Sequence, residues 1–287
     1  MMNTIDRTEQ TVQLIKNAAA DLTAVRERKP LIHHITNFVV MNETANATLC
    51  IGALPVMAHA VEEVAEMVSM AGALLLNIGT LTPELVESMI VAGKRANELK
   101  IPVVFDPVGA GATSLRTDAC IKIMSEIEIA IIRGNSAEIG ILAGAGGEIK
   151  GVEAVGRSDD MQAVARAFAS DMGAVISVTG PVDIVTDGTS TALVSNGHRM
   201  MSTVTGTGCI STTITAAFAA VQNKDENSAQ TGLFTAATGA LIAYGIAGEH
   251  AAALYPDKPG MFHAALYDSI YALTSDDIER SAKVELV

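Results

Sequence analysis

Tryptophan is absent from this sequence, and only 3% of its 287 residues are aromatic although 49% are hydrophobic. The core must therefore be built from Ala, Val, Ile, Leu and Met. Such small side chains let helices lie close against a sheet, which favours a layered α/β architecture. Basic residues are the second shortage: 19 against 32 acidic ones, a net charge of −13. Nucleic acid and anionic membrane surfaces both require a basic face, so neither is expected as a partner. Any phosphate ligand must then be held by backbone amides, a few selected cations and a divalent metal. Cysteine is also scarce. Cys50, Cys120 and Cys209 are far apart, odd in number and without CxxC spacing. That argues against a disulfide framework or a structural zinc site and points to a reducing, cytoplasmic setting. The N-terminal stretch with Asp6, Arg7, Glu9 and Lys16 lacks the apolar segment of a signal peptide. Charge is missing from one run, Ser228 to Gly248, which is long enough to cross a bilayer. It carries Gln230, three Thr and four Gly, and Glu249-His250 abut it, so it reads as a buried, Ala-rich helix.

What is present alternates. Leu31 to Ile35, Ala73 to Ile78, Pro102 to Phe105, Ile129 to Ile132 and Val175 to Val178 are continuous apolar runs, as expected of strands buried on both faces. Helical patterns lie between them. Pro83 to Leu99 opens with Thr82 as N-cap and Pro83 at the first helical position. Ser158 to Ala169 opens with Ser158, Asp159 and Asp160, which complement a helix N-terminus. This alternation predicts a mainly parallel sheet with right-handed crossovers. Asp183 to Thr186, Asp187-Gly188 and Thr191 to Val194 read as a hairpin, making one edge antiparallel. Ser275 to Val287 reads as a solvated last helix. No repeat or linker divides the chain, so one domain over residues 1–287 is expected.

The most informative stretch is Thr203-Val204-Thr205-Gly206-Thr207-Gly208-Cys209. Ile210, Ile214, Phe218 and Val221 follow it at helical spacing, so a Gly-rich turn feeds straight into a helix. Free N–H groups and the helix dipole suit that place to a phosphate or another developing anion, with Cys209 at its mouth. Gly-x-Gly before a helix also occurs in ordinary tight connections, and a Cys beside it is often a small core residue. In a parallel sheet, ligands bind beyond the carboxyl ends of the strands. Those ends carry polar or Gly-rich sequence here: His33 to Asn37, Asn77 to Thr80, Asp106 to Gly111, Arg133 to Glu138 and Thr179-Gly180.

Taken together and in order, His33-x-Ile-Thr-Asn37-x-Val-x-Met41-Asn42, Gly52-Ala-x-Pro55-Val-Met57, Asn77-x-Gly79-Thr80, Asp106-Pro-Val-Gly-Ala-Gly111-Ala-Thr113, Arg133-Gly-Asn135-x-x-Glu138-Ile and Thr205-Gly-Thr-Gly-Cys209 resemble the hydroxyethylthiazole kinases of the ribokinase-like superfamily. The resemblance covers nearly the whole chain. It implies a three-layer sandwich with a mainly parallel central sheet and helices on both faces. In Asn135-x-x-Glu138 it implies the acidic motif that orders Mg²⁺ around ATP, with Asp106 as a second carboxylate; Asp106 is equally readable as a turn-former bonding its own backbone. Arg133 and Thr179 are implied nucleotide contacts, with Asn135 beside them. Met57 and the backbone of Gly206 are implied contacts to the thiazole ring, with Asn37, Val39 and Met41 lining the same pocket. His33 and His34 face opposite ways on a strand and cannot easily share a metal, while His250 and His263 have no partner at useful spacing. Two departures stand out. Pro181 removes an amide after Thr179-Gly180, and Lys258-Pro259-Gly260-Met261-Phe262 stands where the family has Gly-Pro-Gly-Ser-Phe.

The activity so implied is ATP-dependent phosphorylation of the primary alcohol of 4-methyl-5-(2-hydroxyethyl)thiazole, in thiamin synthesis and salvage. The amides of Gly206, Thr207, Gly208 and Cys209 would hold the transferred group. Cys209 would act either as a thiolate base, its titration lowered by the helix start, or as a group that only orients the hydroxyl. The resemblance also implies a homotrimer with sites at subunit interfaces. The rival readings are a kinase of another small alcohol such as hydroxymethylpyrimidine, a nucleotide-dependent dehydratase on the same fold, and a non-catalytic nucleotide-binding module.

Overall fold

The computed structural model describes residues 4–145, 158–222 and 229–287. Helix α1 (Thr4–Arg28) leads into β1 (Leu31–Ile35), α2 (Met41–Ile51), β2 (Leu54–Val56), α3 (Val64–Val68) and β3 (Ala73–Asn77). Then come α4 (Pro83–Glu98), β4 (Val103–Asp106), α5 (Ser114–Glu126), β5 (Ile131–Asn135), α6 (Ser136–Ala145) and α7 (Ser158–Met172). The rest runs β6 (Val175–Thr179), β7 (Asp183–Thr186), β8 (Thr191–Val194), α8 (Thr207–Ala219), α9 (Ala229–Leu254), α10 (Pro259–Ala272), α11 (Ser275–Ser281) and β9 (Val284–Leu286). A 3-10 turn, Arg199–Thr203, precedes α8.

All nine strands join one sheet in the order β2-β1-β3-β4-β5-β6-β7-β8-β9. The six from β2 to β6 run parallel and the last three are antiparallel. The sheet is buried on both faces because successive strand residues feed two cores. Ile32, Leu75, Val104, Ile131 and Val175 pack towards α1, α2, α8, α9 and α10. Leu74, Leu76, Phe105, Ile132 and Ile176 pack towards the layer of α3 to α7. The expected three-layer arrangement is present. Helix α9 has the length and hydropathy of a membrane span, but 83% of its apolar window is buried inside the molecule; Ser228, where the uncharged run begins, lies outside the described residues.

Thr82 caps α4 as expected, its hydroxyl accepting from Leu85 N–H at 3.2 Å. The hairpin is also present, with Asp187 Oδ1 accepting from Thr189 and Ser190 N–H at 2.8 and 2.7 Å. The end of the chain departs from expectation. Only Ser275–Ser281 is helical, and Val284–Leu286 pairs antiparallel with β8. Val284, Glu285 and Leu286 alternate in polarity and complete the sheet edge that a helix would have left open. Strand β5 also differs from its apolar run, ending at Asn135 rather than Ile132, because its ladder with β6 continues to the pair Asn135↔Thr179. Arg133 therefore sits on a strand and not in a loop.

Candidate active site

The carboxyl ends of β1, β3, β4, β5 and β6 converge with the start of α8. Asn37, Val39, Gly79, Asp106, Arg133, Asn135, Glu138, Thr179, Gly206, Gly208 and Cys209 all line one cleft of about 420 Å³. A second cleft of about 620 Å³ opens on the other side of Arg133, Thr179 and Gly208, walled by Pro181, Asp183, His198, Arg199 and Tyr244. The two chambers thus share three residues.

Helix α8 begins without a side-chain cap. Its N-cap Gly206 has φ 85°, a left-handed conformation that glycine adopts without strain. Gly206 O already accepts from Ile210 N–H, while Thr207 Oγ1 is turned back onto Met201 O at 2.8 Å. The amides of the first turn therefore face the clefts without a side-chain competitor. Beneath them lies Arg133, 8% exposed. Its guanidinium makes no hydrogen bond to any described residue, and Nε is wholly enclosed. No carboxylate lies within ion-pair distance of it among the described residues.

Asn135 and Glu138 cap the start of α6 reciprocally. Asn135 Oδ1 accepts from Ala137 and Glu138 N–H at 2.9 and 3.0 Å, and Glu138 Oε2 accepts from Asn135 N–H at 2.8 Å. Glu138 Oε1 accepts from Gly109 N–H at 2.8 Å, tying the loop after β4 to the same carboxylate. Asp106 does not bond its own backbone through its side chain. Its Oδ2 accepts from Asn77 Nδ2 at 2.9 Å and Thr212 Oγ1 at 2.8 Å. Burial pushes its carboxyl up to about 6, against the pull of Arg133 and these two donors.

Cys209 Sγ receives Asn77 Nδ2–H at 3.2 Å and Asn37 Nδ2–H at 3.7 Å. The expectation that the helix start lowers its thiol fails. Burial first, and Asp106 second, push it up to about 12, and the two amides and Arg133 do not offset them. Asn37 lines the cleft, but its amide is committed inward: Nδ2 to Asn77 Oδ1 at 2.8 Å, and Oδ1 to Val39 N–H at 3.1 Å. Val39 is 63% exposed at the mouth. Met57, just after the edge strand β2, and Met41 are not among the residues lining this cleft. Thr179 Oγ1 donates to Gly134 O at 3.3 Å and lines both chambers.

His33 and His34 point to opposite faces, onto Ala58 O and Thr48 Oγ1. Burial lowers both, His34 to about 3, so both stay neutral. His263 does have partners: Nε2 lies 2.7 Å from Glu43 Oε2, which also accepts from Tyr267. Those residues stand 220 positions apart in the chain, beyond any spacing rule. Sequence reasoning also missed Arg116, which donates to Ile78 O, Val108 O and Gly79 O and so braces two strand-end loops. Thr212, one turn beyond Cys209 on the same helix face, was legible by period and passed over.

A family model for the hydroxyethylthiazole kinase family matches residues 22–276. This chain belongs to that family. Among curated members, the hydroxyethylthiazole kinase of Thermoanaerobacter pseudethanolicus is 55% identical over 92% of this chain and 97% of its own length. That of Chloroflexus aggregans is 56% identical, over 91% and 90%. The solved structure of the family member from Pyrococcus horikoshii superposes with a TM-score of 0.85 at 42% identity, covering 94% of this chain and 98% of that one. A ribokinase-like superfamily protein from Enterococcus faecalis shares the fold alone, with a TM-score of 0.55 at 14% identity and coverage of 85% and 87%. Family membership thus meets a ribokinase-like fold whose strand-end residues are gathered into one place.

Proposed function

We propose that this chain is one kinase domain that transfers the γ-phosphoryl group of ATP to the primary hydroxyl of 4-methyl-5-(2-hydroxyethyl)thiazole. Arg133 carries the reading. A buried guanidinium without an acceptor is costly unless a ligand supplies the anion, and its fork matches phosphate oxygens. The larger chamber accommodates the nucleotide, with Arg133 and Thr179, which line both chambers, beside its phosphates and Asn135 reaching them from the smaller one. The smaller one takes the alcohol against Asn37, Val39 and the backbone of Gly206.

The amides of Gly206, Thr207, Gly208 and Cys209 then stabilise charge on the transferred group. The alcohol oxygen forms a bond to phosphorus as the bond to the leaving diphosphate breaks. Cys209 Sγ accepts a hydrogen bond from the hydroxyl and aims it. A thiol held near 12 is a poor source of thiolate, so Cys209 orients the hydroxyl, and as the new ester bond forms the hydroxyl proton passes to an oxygen of the transferred phosphoryl group. Glu138 and Asp106 suit Mg²⁺, which takes one or two carboxylates beside water and phosphate oxygens. Glu138 keeps lone pairs beyond its two backbone partners, and Mg²⁺ when bound would neutralise phosphate charge.

The quaternary reading is a homotrimer in the cytoplasm, each site completed by a neighbouring copy. It is supported by the exposure of Phe38 and Val39, 66% and 63%, and by Met57 standing outside its own chain's cleft. The deciding experiment offers Mg-ATP with thiazole, hydroxymethylpyrimidine and pentose alcohols and follows ADP release. The thiazole alcohol should lead in kcat/KM by a wide margin. Equal rates across the panel, or release without any acceptor, would refute the substrate assignment.

A further inference from the structure

Asn77 ends β3 and is fully buried. All of its hydrogen-bonding capacity is used. Oδ1 accepts from Gly79 N–H at 2.9 Å and from Asn37 Nδ2 at 2.8 Å. Because Gly79 N–H can only donate, the orientation of the amide is fixed and its NH₂ group must face the other way. There it donates to Asp106 Oδ2 at 2.9 Å and Cys209 Sγ at 3.2 Å. Asn37 adds a second, longer donation to the same sulfur at 3.7 Å. Two amides thus present donors to Sγ, and no described side chain accepts its proton. The sulfur is built as an acceptor.

We infer that Asn77 is a positioning residue for phosphoryl transfer: its amide fixes Cys209 Sγ as the hydrogen-bond acceptor for the substrate hydroxyl and ties that sulfur to Asp106. This rests on the kinase reading above. The chain of contacts runs from Val39 N–H through Asn37 and Asn77 to Cys209 and Asp106, so a residue at the cleft mouth is joined to the acceptor at its base. If the sulfur were instead free to rotate or to donate, the alcohol oxygen would lose its alignment with the phosphorus, and misplacement of this kind lowers turnover more than binding.

Asn77→Asp tests this with little change of shape. The new carboxyl keeps an oxygen for Gly79 and Asn37 but loses both N–H donations. The oxygen that replaces the amide nitrogen faces Asp106 Oδ2, with which it must share a proton, and Cys209 Sγ, to which it offers an acceptor, turning the thiol from acceptor to donor. kcat should fall roughly 10–100-fold with the KM for the alcohol nearly unchanged, the usual worth of a hydrogen bond to developing charge. In a Cys209→Ala background the same substitution should cost clearly less than in the wild-type chain, the remainder being the lost donation to Asp106. Fully additive losses, or an unchanged kcat, would overturn the inference. Asn37→Asp, which keeps the oxygen for Val39 N–H but loses the donation to Sγ, should lower kcat more weakly and, because Asn37 lines the alcohol chamber, also alter the KM for the alcohol; it serves if the first variant folds poorly. The infrared S–H stretching band of Cys209, read with Cys50 and Cys120 replaced by Ala, needs no turnover. It should shift in Asn77→Asp, and a band that does not move would overturn the inference. Absence of phosphoryl transfer in the wild-type chain would refute the kinase reading instead, while the band would still report whether Asn77 holds the sulfur.

Discussion

Gly208 lies against the Arg133 guanidinium: a Cβ built on Gly208 would stand 3.1 Å from Arg133 Nη1. The first turn of α8 and the buried cation are therefore packed on each other, and both face the passage between the two clefts. Gly208→Ala should press on the guanidinium and raise the KM for ATP with little change in melting temperature. Arg133→Met should be more severe, lowering kcat/KM for ATP by roughly 10–100-fold through the loss of charged hydrogen bonds. Steady-state kinetics with ATP varied at saturating alcohol measure both. Unchanged ATP kinetics in Arg133→Met would remove the arginine from the nucleotide site.

Cys209 should alkylate with iodoacetamide no faster than Cys50, because burial holds its thiol near 12. Cys209→Ala should lower kcat and leave the KM of the alcohol almost intact, as expected when the lost contact matters mainly in the transition state. Cys209→Asp should stay active, since Asn37 and Asn77 already aim N–H donors at that position and would serve a carboxylate equally well. Mass spectrometry of a brief alkylation and the kinetics of the two variants together check the role of the sulfur.

Asp21, remote from the clefts, has an enclosed Oδ2 without a partner, and burial raises its carboxyl from 3.8 to about 6 against Gln222 and Arg28. Between those two values the folded chain keeps a proton that the unfolded chain has released. Stability from this residue is therefore fullest below about 4 and is lost as pH rises through about 6. Asp21→Asn should raise the melting temperature at pH 7.5 by a few degrees, a gain on the order of 1–2 kcal/mol. The gain should vanish near pH 4, with kinase activity unaffected throughout. Scanning calorimetry at the two pH values decides it.

Phe38 is exposed beside the cleft, and its N–H is held by Thr80 Oγ1 at 3.0 Å, so its ring is presented from a fixed loop. Phe38→Glu should disrupt association without unfolding the 29.8 kDa chain. Light scattering should then give a monomer mass for the variant and a trimer mass for the wild type. Loss of activity in the monomeric variant would accompany an incomplete site.

Much of the fold was legible because apolar runs mark strands that are covered on both faces. The same rule set some strand ends slightly short. Asn77 fell within the run Ala73 to Ile78, while Asp106, Arg133 and Thr179 were read at the ends of runs that stop one residue before them, and each is included in its strand. Their polarity ends the hydropathy signal, while the backbone ladder continues to Asn77↔Asp106 and Asn135↔Thr179. Nor could local pattern show that Glu43 meets His263, or that burial and Asp106 raise the thiol of Cys209. Both depend on what chain folding brings alongside. The three-residue β9 was missed for a related reason: an edge strand that short carries too few alternations to stand out.

The reciprocal cap between Asn135 and Glu138 has a bearing on ion selection. A free glutamate side chain gives up about 1.5–2 kcal/mol of rotamer entropy when it is fixed, and here that cost is met during folding. The carboxylate is held in the folded chain without any cation, because loosening it would also release the backbone of Gly109 and Asn135. A rigid oxygen that cannot swing to chelate suits a small ion of strict octahedral habit, whereas Ca²⁺ gains its affinity from ligands that can rearrange around it. Under the proposed magnesium role, the turn that starts α6 would therefore also act as a size filter, preferring the ion that arrives with its water still attached.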